Sequence, residues 1–371
     1  MSDHLPRNDD CAIPLCDVGA VQRPIAAVFL PNVKMGAKRA ALVAEGGPDP
    51  FREQHGFKQN GVLCRERDLH SFPWNPLVKK GSLLAGLDLL RALKVLLFDR
   101  KADVIVSVFE SNVFFILLLR KLFRFRPRIV LWEVSGRGWP KRDWILDYVV
   151  PRVDHVLVLT EDQRAKVEAQ YQLRNPAQVL GFAIDDEFFR SMSEHVEQRY
   201  VLAVGDDVSR DYTTLIEACR LAGLPLKLRS NAKFALPDNT EHVSFVNRLS
   251  YHELRDLYDN ATIVVVPLTP ADYPSGITAV YEAMAMGKPL VVTRTGMTAD
   301  FIRHNEDGMF VNPKDAAGLG ETLLSLWQDP SKRCLLGRAA RQRLERDFSY
   351  EQYIQRFARL LHHAARSGRL D

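Results

Sequence analysis

The feature that most constrains this chain is a repeated alternation of short apolar runs with helix-length segments. Ile25 to Leu30, Val104 to Phe109, Ile129 to Val134 and His155 to Leu159 read as buried strands. Tyr200 to Val204, Leu226 to Leu228, Val243 to Val246, Ile263 to Val266, Leu290 to Thr293 and Met309 to Val311 continue the series. Such alternation predicts an α/β fold with doubly wound parallel sheets. The 371 residues exceed one typical core and suit two domains of roughly 150–200 residues each. We expect a disordered tail over 1–23, a first domain over 24–190 and a second over 198–349, joined by a linker near 185–198.

Composition narrows the class. With 46% hydrophobic and 26% charged residues and no repeat period the chain is globular, and a net charge of +4 is too small to argue for nucleic acid. The five cysteines (Cys11, Cys16, Cys64, Cys219, Cys334) are scattered, with neither zinc spacing nor a disulfide framework, which predicts a reducing compartment. The polar, acidic start lacks the apolar stretch of a signal peptide. No apolar run approaches the roughly 18–20 residues of a membrane span. The expected location is cytoplasmic.

The most informative stretch is 273–313, YPSGITAVYEAMAMGKPLVVTRTGMTADFIRHNEDGMFVNP. A helix from Thr278 to Met286 ends at Gly287-Lys288-Pro289, and Leu290 to Thr293 follows as a strand. The N–H groups of Ser275, Gly276 and Ile277 fall at the helix start, where a phosphate or sugar hydroxyl can dock. Glu282 lies one to two turns in, within reach of a ribose diol.

This stretch resembles the nucleotide-recognition half of GT-B glycosyltransferases, of the large retaining "group 1" (family 4) type. The resemblance rests on Gly276, on Glu282-Ala283-Met284-Ala285, on Gly287-Lys288-Pro289, and then on Gly296, Asp300, Gly308 and Val311-Asn312-Pro313-Lys314-Asp315. It is strong from about 200 to 357 and only topological from 25 to 185. It implies two Rossmann-like domains facing across a cleft, with a last helix, within 350–371, crossing back to the first. It also implies a donor held by basic side chains and helix N-termini instead of a tightly bound metal, with no cofactor beyond the nucleotide sugar.

The family's phosphate loop corresponds here to Gly205-Asp206-Asp207-Val208-Ser209-Arg210-Asp211, where Asp206 replaces the first expected cation and Arg210 stands for the second. Arg210 either meets two phosphate oxygens with its fork or pairs with Asp206 or Asp207 on a solvated loop. Asp211 reads as an N-cap whose carboxylate accepts from the N–H of Thr213 or Thr214. The family's paired glutamates, E-x7-E, are incomplete: eight residues before Glu282 stands Pro274. Asp272, or backbone groups with Ser275, then take the missing role. The base is expected between Arg229-Ser230-Asn231 and the loop at Val246 to Leu249, with Arg248 either a contact or a surface residue.

In the first domain, Lys34, Gly36, Lys38 and Arg39 follow the first strand, and Gly36 lets backbone approach the diphosphate. Glu110 and Glu133 end strands at the edge where such sheets bind ligands. Either carboxylate positions or deprotonates an acceptor hydroxyl, or pairs with an arginine; His155 reads as packed or hydrogen-bonded within a strand. The expected catalytic set is Arg210, Glu282 and Glu133; the expected donor contacts are Lys34, Gly36, Gly205, Arg248, Asp272, Ser275, Gly276, Ile277, Thr278 and Glu282.

Residues 113–128 pass from seven apolar residues into alternating Phe and Arg/Lys. From Arg120 to Arg142 there are eight Lys/Arg against one acid, Glu133. The segment is either a core helix with a solvated basic end or a membrane-surface element with Phe123 and Phe125 dipping in beside cations. The sum of these readings is a glycosyltransferase using a nucleoside diphosphate sugar and a glycan, glycolipid or lipid-linked acceptor. The rivals are a nucleotide-sugar epimerase on the same fold, and a non-catalytic scaffold for polysaccharide assembly, encouraged by Pro274 and Asp206.

Overall fold

The computed structural model describes residues 23–31, 35–49, 52–68, 87–132, 134, 143–191, 198–232, 234, 239–247 and 249–367. Two six-stranded sheets, each entirely parallel, form the centres of two domains. The first contains β1 (Ile25–Leu30), β2 (Val62–Glu66), β3 (Val104–Val108), β4 (Arg128–Trp132), β5 (His155–Val158) and β6 (Gln178–Val179), in the order β2-β1-β3-β4-β5-β6. Its helices are α1 (Met35–Glu45), α2 (Arg52–Gln59), α3 (Leu89–Phe98), α4 (Phe114–Leu119), α5 (Asp143–Val149) and α6 (Glu161–Gln170).

The second sheet contains β7 (Val201–Val204), β8 (Leu226–Arg229), β9 (Val243–Val246), β10 (Ile263–Val266), β11 (Leu290–Thr293) and β12 (Met309–Val311), in the order β12-β11-β10-β7-β8-β9. Around it lie α7 (Tyr212–Ala222), α8 (Tyr251–Asp259), α9 (Ile277–Ala285), α10 (Ala316–Gln328) and α11 (Pro330–Asp347). The central strands β7, β10 and β11 are buried at every residue because helices cover both faces. The expected doubly wound architecture is therefore what the chain adopts.

Two strands escape the apolar-run criterion. β2 alternates buried and solvent-touching residues, as an edge strand does, and β6 is only two residues long. The expected loop from Pro31 to Gly36 is shorter at its end: helix α1 starts at Met35, so Gly36 lies in its first turn.

Each sheet reverses its winding direction once, between β1 and β3 in the first and between β7 and β10 in the second. Parallel sheets open a crevice beyond the carboxyl ends of their strands at such a point. Helix α12 (Tyr350–Arg366) leaves the second domain and packs on the first sheet and α2, where Phe357 meets Phe29, Phe57 and Trp132. The chain thus passes between the domains after Ile184 and again near Phe348. Arg52 touches both passages: it pairs with Asp186 at 3.0 Å and with Asp185, and its guanidinium lies 4.6 Å from the centre of the Tyr350 ring.

Candidate functional site

The crevice of the second sheet is lined by the loop after β7. Gly205 carries φ 151°, and Tyr212 at the start of α7 donates from its hydroxyl to the Gly205 carbonyl at 2.6 Å. Asp206 turns outward to Arg229 Nη1 at 2.9 Å and to the Asn231 amide. Asp207 turns inward to Ser209, Tyr273 and Ser275. Asp211 caps α7 by accepting the Thr214 N–H at 3.2 Å, one of the two partners its sequence position allows.

Arg210 therefore pairs with neither aspartate through its side chain. Its Nε and Nη1 are buried without a hydrogen-bond partner among the described residues. Two glycines form its cradle. A Cβ on Gly205 would come 2.7 Å from Arg210 Cζ, and one on Gly276 would come 3.3 Å from Nη1 and 2.8 Å from Val266. Gly276 also holds φ 84°, which a β-carbon disfavours. A buried cation with open donors is costly unless something anionic completes it. The geometry is that of an anion seat at the N-terminal end of α9.

Behind this seat, Glu282 on α9 is buried and accepts a 2.7 Å hydrogen bond from Tyr258 of α8. Burial pushes the Glu282 carboxyl up to about 7, against the Tyr258 hydrogen bond and the charges of Arg210 and Arg229. Burial and the neighbouring Glu282 hold the Tyr258 phenol well above its ordinary range, so it remains a donor. Tyr258 was not legible as a site residue, because only folding brings α8 beside α9.

Residues 235–343 match the family model of glycosyl transferases group 1. Glycogen synthase of Mycobacterium tuberculosis is 36% identical over 108 residues, which is 29% of this chain and 25% of that enzyme. The chain thus spans a quarter of that relative's length. Sucrose-phosphate synthase from Thermosynechococcus elongatus superposes over 92% of this chain and 99% of its own, with TM-score 0.68 and 17% identity. Anabaena HepE in complex with UDP and glucose superposes over 91% and 100%, with TM-score 0.66 and 16% identity. The fold is GT-B.

Within the GT-B cleft the remaining expected residues fall as follows. Ser275 is buried, and neither of its polar groups is free: its N–H donates to the Tyr273 carbonyl at 2.8 Å and its hydroxyl to Asp207 at 3.1 Å. Helix α9 begins at Ile277, one residue before the expected start, and Ile277 is buried while Thr278 is exposed. Asp272 does not turn toward Glu282; it is 72% exposed and lies 3.8 Å from Lys166 of α6 in the opposite domain. Lys34, Glu133 and Arg248 lie outside the described residues. Glu110 is buried in a short turn after β3, and His155 pairs with Ser367 at 2.9 Å.

Beneath the crevice of the first GT-B domain lies a buried polar cluster. Arg91 of α3, almost wholly buried, donates to the Pro31 carbonyl at 2.8 Å and to Asn112 Oδ1 at 2.6 Å. Asn112 in turn donates to the Leu30 carbonyl at 3.2 Å. Between the domains, a cavity of about 410 Å³ lined by Thr160, Gly181, Ile277, Tyr281 and Arg356 lies toward the second chain passage and contains neither Arg210 nor Glu282.

The segment 113–128 departs from the membrane expectation in its details. Phe125 is buried and Phe123 packs against the first core, because Arg124 takes a left-handed φ of 48° and turns the chain. Leu118 and Leu122 are the exposed apolar residues there, and Leu97 and Phe98 at the end of α3 are exposed as well. No helix among the described residues is long and apolar enough to cross a membrane.

Proposed function

We propose that the protein is a glycosyltransferase that moves a sugar from a nucleoside diphosphate sugar to a glycan, glycolipid or lipid-linked acceptor, with retention and without a metal. The observation that carries this is the half-buried Arg210 side chain, flanked by two glycines, whose Nε and Nη1 are buried and unpartnered among the described residues. A leaving diphosphate supplies the missing acceptors, and Arg210 stabilises the charge that develops as the glycosidic bond breaks. Glu282, fixed by Tyr258, accepts from the ribose hydroxyls. The names of similar proteins support a nucleotide donor, since HepE is solved with UDP and with UDP-glucose. Retention rests on the resemblance to family 4.

An acceptor at a membrane surface is supported by exposed Leu118 and Leu122, which adjoin exposed Lys121, Arg124 and Arg126 in the chain, and by exposed Leu97 and Phe98 on α3, a helix that packs on α4. Sedimentation with anionic against neutral vesicles tests this part separately.

The decisive experiment is calorimetric binding of UDP, GDP, ADP and dTDP and their common sugar conjugates to wild type, Glu282→Ala and Arg210→Ala. Micromolar binding of one nucleotide, lost in both variants, is expected. No binding to folded wild type would overturn the transferase reading in favour of a scaffold. Turnover of the bound conjugate without acceptor to an epimeric sugar would favour the epimerase.

A further inference from the structure

Asp207 presents an arrangement that the nucleotide reading does not use. Four polar groups converge on its Oδ1: the Ser209 N–H at 2.7 Å, the Ser209 hydroxyl at 2.5 Å, the Tyr273 hydroxyl at 2.8 Å and the Ser275 hydroxyl at 3.1 Å. Ser209 and Ser275 also lie within 2.6 Å of one another. Oδ2 receives no donor among the described residues, and the side chain is only half-buried. One oxygen is locked and the other is presented.

The position of that oxygen is equally specific. Asp207 lies two residues after Gly205, and its partner Ser275 immediately precedes Gly276; those two glycines enclose the Arg210 guanidinium. The loop that carries Tyr273 and Ser275 faces the opposite domain, as the approach of Asp272 to Lys166 shows. Burial alone would raise the Asp207 pKa, yet the donors from Ser209, Tyr273 and Ser275 hold it below the ordinary carboxylate value. The cleft therefore contains an ionised, pre-oriented carboxylate next to an open cation.

We propose that Asp207 is the specificity-determining residue for the transferred sugar, its Oδ2 accepting from a hydroxyl of a glycosyl group whose diphosphate rests on Arg210. This rests on the nucleotide-sugar reading above. The class of substrate follows from charge. A neutral, hydroxyl-bearing sugar satisfies Oδ2, whereas a uronic acid would set carboxylate against carboxylate. Asp272, solvated and turned to Lys166, does not fill this role.

A carboxylate beside a phosphate seat repels a free diphosphate and is compensated only when a sugar hydroxyl reaches it. Asp207→Asn should therefore move two affinities in opposite directions. Binding of free UDP or GDP should tighten, while binding of UDP-glucose or GDP-mannose should weaken by about tenfold. A structural role would weaken nucleotide and conjugate together, and that result, or an unchanged conjugate affinity, overturns the proposal. Wild type provides a second test that needs no variant: among singly deoxygenated conjugates of the sugar it binds, at least one must lose about tenfold in affinity. Equal binding of all of them also overturns it. If folded wild type binds neither nucleotides nor conjugates, the donor reading itself fails, which is distinct from a conjugate that binds without discrimination.

Discussion

Each sheet has an arginine at its switch in strand order, Arg91 fully buried and Arg210 half-buried, and the two are treated in opposite ways. Arg91 donates to Pro31 and Asn112, so it ties the ends of β1 and β3 together as part of the fold. Arg210 is held by glycines that offer no acceptor, so the second crevice stays chemically open. A buried guanidinium with partners is structure; the same group with buried, unanswered N–H groups stores an interaction for a ligand. The contrast is sharpest when each arginine is removed.

Replacing Arg91 by leucine should produce the largest loss of stability, about 3–4 kcal/mol, because the Pro31 carbonyl and Asn112 are left buried without donors. Urea unfolding measures it, and nucleotide affinity of the remaining folded protein should be unchanged. A next, pH-dependent effect arises at Glu282, whose folded pKa of about 7 lies above its ordinary 4.5. The folded state binds this proton more tightly than the unfolded state, so stability falls as pH rises from 4.5 to 7 and then levels off. The wild type should lose up to about 3 kcal/mol relative to Glu282→Gln across that window. Unfolding curves of both proteins at pH 4.5 and 8 test the sign.

Arg210→Met should behave opposite to Arg91→Leu. Nucleotide affinity should fall about a hundredfold, or about 2.7 kcal/mol, while Tm is unchanged or higher because an unpartnered buried cation has gone. A fall in Tm matching that of Arg91→Leu would erase the distinction between the two crevices. The smallest effect belongs to Asp272→Ala, whose exposed partner Lys166 is 3.8 Å away: within about 0.5 kcal/mol of wild-type stability and without change in donor binding.

The same division governs what the sequence discloses. Strands buried on both faces announce themselves as apolar runs, and ten of the twelve were readable to within a residue or two at their ends. β2 and β6 were not: β2 carries Arg65 and Glu66 within its five residues, and β6 is only two residues long, so neither forms an apolar run, whereas the exposed edge strand β9 still reads through Val243, Phe245 and Val246. Helix α9 and its Glu282 were placed nearly residue by residue, since glycine turns bracket them locally. Tyr258 and Asp207 were missed because their importance lies in contacts across 24 and 66 to 68 positions. Asp272 was favoured by nearness in sequence to the missing glutamate, yet its loop aims the side chain at Lys166. The alternation of Phe123 and Phe125 with basic residues left a core and an outward placement both open, and the left-handed turn at Arg124 sets both rings on the core side.

The double passage of the chain between its domains limits how they can move. A single strand of linker is a swivel, free to turn about many bonds. Two strands side by side, both gripped by Arg52, act as adjacent pins on one door, and leave a single axis to rotate about. Opening then becomes a swing that parts Lys166 from Asp272, which already meet at 3.8 Å, along one fixed arc.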